Sequence, residues 1–201
     1  MGVTLAQKMN DGKFVASSLR EDELFTFYRA DGVRDTLSTG KAPYPFRFQG
    51  IDDTSLKVKK RIFEYRLKYN GHNDKFVVCY CLNNLFEIYN SDGSLHKRII
   101  APYPYLVDTN HLSADKLGVP IDELIFTFKD CCLTDDRIFL LYNGSSPTGM
   151  IGAQSKIYVF DYEGNPIKYY LLDRYAHSFC IDKQGGVIYA LSDENDQKQV
   201  V

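Results

Sequence analysis

Hydrophobic residues fall along this chain in short runs rich in Val, Ile, Phe and Tyr, and nearly every run is bounded by Gly, Asn, Asp or Pro. Runs of that length and make-up between turn residues read as β-strands. The pattern predicts three groups of four strands. The first spans 4–9, 13–18, 23–29 and 33–38. The second spans 61–69, 75–81, 84–89 and 94–100, and the third 124–132, 137–142, 156–161 and 166–172. A further pair follows at 178–181 and 186–191, with the chain stopping part-way into its next strand. No helix is predicted beyond a turn near 113–117, where Ser113 is placed to cap. Asp and Gly occupy the connections, as in Asn10-Asp11-Gly12, Asp31-Gly32 and Asp92-Gly93. These residue types tolerate positive φ and suit two-residue hairpin turns.

The groups also repeat as wholes. Ala42-Pro43-Tyr44-Pro45-Phe46 returns as Ala101-Pro102-Tyr103-Pro104-Tyr105, each copy after an acidic-Gly turn. A third such turn, Glu163-Gly164, leads to Leu172-Asp173-Arg174-Tyr175. The turn glycines Gly32, Gly93 and Gly164 are 61 and 71 residues apart, a period that fits four-stranded units and is too long for a single-strand solenoid. Four-stranded antiparallel units in series are the blades of a β-propeller. The expected fold is therefore all-β: one partial propeller over 1–201, with blades at about 3–50, 61–105 and 122–173 and a half-blade at 178–201. An arc of three and a half blades leaves edges unpaired, so the chain is expected to be a fragment of a longer protein, or to close by self-association.

The resemblance lies in the third repeat. Arg137 to Gly144, Ile157-Tyr158-Val159-Phe160-Asp161-Tyr162-Glu163-Gly164-Asn165-Pro166-Ile167 and Leu172-Asp173 resemble the C-terminal half of the TolB-like six-bladed propeller family of bacterial proteins. Ile181-Asp182, Val187 to Ala190 and Phe86 to Gly93 fit the same pattern, and the match is looser before residue 60. Members of that family typically carry an N-terminal signal or lipoprotein segment, so the resemblance implies an extracytoplasmic location, and the opening residues Met1 to Lys8 are expected to be strand rather than such a segment. It offers no catalytic residues to carry over.

Composition narrows the function classes. A net charge of −2 calls for no polyanionic partner, and the basic run from Lys57 to Arg61 reads as a solvated connector, so nucleic acid is not expected. No stretch approaches the ~20 apolar residues that would span a bilayer. The five cysteines include no Cys-x-x-Cys pair and sit mostly in apolar runs, which predicts buried free thiols rather than a zinc site.

Catalytic motifs are missing too. There is no His-Glu-x-x-His, and Gly144 to Gly149 misses the nucleophile-elbow spacing. The acidic residues at the first hairpin of each blade, Asp11, Asp74, Asp135, Asp136 and Asp182, recur as turn chemistry does. The sequence thus predicts no catalytic residues, metal or cofactor. What it does offer is a loop face built from the blade-to-blade connections and the second-to-third-strand loops, where binding residues concentrate. Tyr44, Phe46, Tyr103, Tyr105, Tyr175 and His177 are expected there, aromatics next to proline that suit glycan, peptide or protein contacts. The reading is a non-catalytic binding or scaffold propeller. The alternative is a propeller enzyme of the lactonase or lyase kind with a metal in the central channel, although the sequence shows no unpaired acidic cluster near the innermost strands beyond Glu123, Asp130 and Asp182.

Overall fold

The computed structural model describes residues 6–18, 23–35, 60, 62–100, 124–146, 154–182, 186–194 and 197–200. Among the described residues fourteen strands form four antiparallel sheets, each a meander in chain order. The first holds β1 (Ala6–Lys8), β2 (Phe14–Ser17) and β3 (Phe25–Tyr28). The second holds β4 (Tyr65–Asn70), β5 (Lys75–Tyr80), β6 (Leu85–Asn90) and β7 (Leu95–Ile100). The third holds β8 (Phe126–Leu133), β9 (Ile138–Ser145), β10 (Lys156–Phe160) and β11 (Pro166–Leu171). The fourth holds β12 (Ser178–Ile181), β13 (Ile188–Glu194) and β14 (Gln197–Val200). Of the expected fourth strand of the first sheet, the described residues show a bridge between Tyr28 and Arg34, and residues 36–59 lie outside the described residues. In the fourth sheet β14 is the further strand into which the expected half-blade runs.

The sheets pack face to face in series. Val15, Phe25 and Phe27 of the first meet Phe76, Val78 and Tyr80 of the second. The opposite face of the second sheet, with Val77, Cys79, Phe86 and Ile88, meets Phe128, Cys131, Ile138 and Leu140 of the third. The other face of the third, with Phe139, Leu141, Ile157 and Val159, meets Phe179 and Ala190 of the fourth. Alternate residues of one strand thus enter two different cores, which is why β5 is a continuous apolar run rather than an alternating one. The first strands of the sheets adjoin in order, β1 beside β4, β4 beside β8 and β8 beside β12. Burial peaks in the middle strands: β5 and β6 are buried almost throughout, β4 and β8 in part, whereas β7 and β11 are mostly exposed. This is the arrangement of a partial β-propeller.

The Asp-Gly turns are three-residue loops rather than the expected two-residue ones. Asn90 N–H donates to Ser94 O at 3.0 Å and Gly93 N–H to Asn90 O at 2.9 Å, and the same pair recurs at 29–33 and 161–165. Gly32, Gly93 and Gly164 adopt φ of 79°, 89° and 77°, and the ladder slips by one residue beside the turns at 93 and 164. A type I turn followed by a left-handed glycine makes this bulge. Asp31 and Asp92 each accept the N–H two residues on, at 2.9 and 2.8 Å.

First-hairpin turns of adjacent blades are also tied together. Asn10 Nδ2 donates to Gly71 O at 2.6 Å, and Asn70 Nδ2 donates to Thr134 O at 2.8 Å and to the Tyr162 hydroxyl at 2.6 Å.

Candidate functional site

The connection from β11 to β12 crosses from the third blade to the fourth, and the β9–β10 loop holds it in place. Ser155 Oγ donates to Asn143 Oδ1 at 2.6 Å and accepts the Ala176 N–H at 2.9 Å. Asn143 Nδ2 donates to Ala176 O at 3.4 Å, and Ser155 N–H donates to Arg174 O at 3.2 Å. Asn143, Ser155 and Ala176 are all buried, so this short stretch is fixed by satisfied polar groups on both sides. Beyond it, His177 N–H donates to Leu191 O at 2.8 Å and starts the fourth sheet.

Tyr175 and His177 flank the pinned Ala176. Their rings meet edge to face, with centroids 5.0 Å apart and planes at 78°. The Tyr175 ring is half-buried, and its hydroxyl is buried with no hydrogen-bond partner among the described residues. Ser145 Oγ, at the same end of the third sheet, and Ser192 Oγ, one residue past Leu191, are in the same condition. Buried hydroxyls normally find partners, so three unpaired ones at one end of two adjoining blades stand out. Next to them Asp173 bonds Arg174 at 3.0 Å, and the Arg174 side chain holds the carboxyl of Asp173 below the usual carboxylate range.

Of the six aromatic and imidazole residues expected on the loop face, the structure brings Tyr175 and His177 together. Tyr44, Phe46, Tyr103 and Tyr105 lie outside the described residues. Among the candidate metal ligands, Glu123 also lies outside them. Asp130 spends its oxygens on the backbone, accepting Cys131 N–H at 2.9 Å and Phe179 N–H at 3.4 Å. Asp182 closes a turn by accepting the N–H groups of Gly186 and Val187 at 2.7 and 2.9 Å. Among the described residues no three His, Cys, Asp or Glu side chains converge as metal ligands would. The remaining described histidines pair across the second and third blades, His72 with Asp135 at 3.7 Å and His96 with Glu163 at 3.2 Å.

One ionic group was not singled out from the sequence. Glu87 is wholly buried between the first two sheets and accepts the hydroxyls of Tyr80 and Tyr89 at 2.6 and 2.7 Å and Arg98 Nε at 2.6 Å. Burial, reinforced by the Glu87 carboxylate, pushes both phenols well above their ordinary range. Its oxygens are satisfied internally, which marks a structural brace rather than a reactive acid.

The fold and its repeat units agree with one family, because the model of the TolB-like 6-blade propeller-like proteins matches residues 1–184. The chain belongs to this family. No curated protein matches it. Among solved structures it is similar to a member of the DUF4221 family from Bacteroides vulgatus, at 10% identity and a TM-score of 0.56, over 94% of this chain and 57% of that one. It is also similar to a protein from Bacteroides uniformis provisionally named a 6-phosphogluconolactonase. That match has 10% identity and a TM-score of 0.51, over 97% of this chain and 52% of the other. The chain therefore spans little more than half the length of these structures, and at such identities the likeness concerns the fold alone.

Proposed function

We propose that this TolB-like propeller is an extracytoplasmic, non-catalytic binding protein that takes a glycan, peptide or protein segment on the face formed by its blade-to-blade connections. The observation that carries this reading is the Tyr175 hydroxyl, buried beside His177 on a segment fixed by Asn143 and Ser155, and lacking a partner among the described residues. A rigid aromatic with a spare hydroxyl supplies apolar area and one directional bond at little entropic cost. The alternative of a channel metalloenzyme has only a shared fold behind it, and a fold hosts many functions.

A panel of oligosaccharides and short peptides, titrated calorimetrically against the chain and against Tyr175→Phe, tests the reading. Removing an unpaired buried hydroxyl leaves the melting temperature unchanged or slightly higher. The expected result is that a panel member binds, and that Tyr175→Phe weakens it by roughly tenfold, the equivalent of one hydrogen bond. Absence of binding across the panel, or binding indifferent to both Tyr175→Phe and Tyr175→Ala, overturns it.

A further inference from the structure

Cys79 and Cys131 belong to different blades but to one core. Cys79 stands on β5, in register with Arg66 and Phe86, and points from the second sheet toward the third. Cys131 stands on β8, in register with Leu140, and enters the same cluster from the other side. The two strands pack against each other. The two side chains enter one buried cluster from opposite sheets, and the neighbouring Cys131 together with burial pushes the Cys79 thiol well above its ordinary range. Each has a neighbouring cysteine that is placed differently. Cys132 packs toward the fourth sheet, and Cys81 is absent from the cluster that the two thiols share.

We propose that Cys79 and Cys131 join as an inter-blade disulfide when the chain folds in an oxidising medium, linking the second and third blades covalently. The oxidant is a low-molecular-weight disulfide, RSSR. One protein thiolate attacks it, forming a mixed disulfide and releasing RSH. The second protein thiolate then attacks the protein sulfur of that mixed disulfide and releases another RSH. One S–S bond is formed and one is lost, two electrons pass to the oxidant, and both thiol protons leave on RSH. In the folded protein Cys79 and Cys131 are 0% and 2% exposed, so the first exchange belongs to folding, before the sheets dock. Docking then selects the partner, because it brings these two side chains into one cluster and directs Cys132 toward the fourth sheet.

The test is refolding of the full chain with oxidised glutathione, alkylation of remaining thiols, and tryptic mapping without reduction. Cleavage after Lys75, Lys97, Lys129 and Arg137 leaves peptides 76–97 and 130–137, each with two cysteines. The expected product joins these two peptides, with fragment ions placing the bond at Cys79 and Cys131. It persists in Cys81→Ser and Cys132→Ser and disappears in Cys79→Ser. The cross-linked wild type should melt roughly 10 °C above its reduced form, as expected for closing a loop of about fifty residues. Absence of a joined pair in refolded wild type, or a bond placed at Cys81 or Cys132, overturns the proposal, and neither outcome bears on the binding face.

Discussion

Glu87 shows how a single residue can be misjudged from its place in a strand. In the run from Leu85 to Tyr89 it occupies a polar slot between apolar neighbours, the pattern that in an ordinary two-layer sheet points to water. Here both faces of the sheet are covered, so the carboxylate enters a core and must bring partners with it: Tyr80, Tyr89 and Arg98. Truncation to alanine strips two buried hydroxyls of their acceptor and removes the Glu87 carboxylate from Arg98. The expected loss is roughly 3–5 kcal/mol, lessened to the extent that the partly exposed Arg98 turns to solvent. Urea denaturation of Glu87→Ala against wild type measures it, and a loss below 1 kcal/mol would show that the network adds little.

Elements were far more legible than such residues. Turn residues cut the apolar runs cleanly, so the strands of the second and third sheets lie within a few residues of their predicted places, as β5 (Lys75–Tyr80) does against 75–81. The turn type was not legible, because Asp-Gly serves both two-residue hairpins and three-residue loops with a bulge, and the choice is made by the register of the flanking strands. Tyr175 and His177 stand out as ring residues at a blade junction, whereas the polar clamp of Asn143 and Ser155 joins positions that only the fold brings together.

Two turn glycines should respond differently to alanine. At Gly32 a new Cβ meets nothing within 4 Å, so Gly32→Ala costs only the left-handed backbone strain, about 1–2 kcal/mol. At Gly164 the same atom would sit 2.8 Å from Ile99 Cγ1 on the neighbouring blade, so Gly164→Ala should cost measurably more, by about 1 kcal/mol. Equal losses in parallel melts would remove the steric component. The turn aspartates add a dependence on pH. Bonds from Ser94 lower the Asp92 carboxyl, first through its hydroxyl and then through its N–H. A lowered folded value contributes stability that is present above the unfolded carboxylate pKa of about 4 and is lost as pH falls through the lowered value. Asp92→Asn keeps an acceptor but cannot titrate, so its melting temperature should fall less steeply than that of wild type on acidification below about pH 4.

At the scale of the whole molecule the fourth sheet breaks the series. One face meets the third sheet through Phe179 and Ala190, while Val187 and Tyr189 are 46% and 45% exposed and Cys180 is also exposed. Cys180 therefore departs from the burial expected of the cysteines, because among the described residues no sheet faces it. Exposed apolar patches of this kind mark surfaces of association. Light scattering at low micromolar concentration should detect self-association of the isolated chain; a clean monomer there would mean that the flank is tolerated bare.

Both-sided burial also sets where this protein can change. The middle strands have no spare face: β5 and β6 contribute to two cores at once, and a substitution there disturbs one blade interface or the other. The outer strands β7 and β11 hold most of their side chains in solvent. Freedom to vary is thus a matter of radius, smallest in the middle of each blade and largest at its rim. Substitutions along the rims and loops should therefore leave the stack of blades in place.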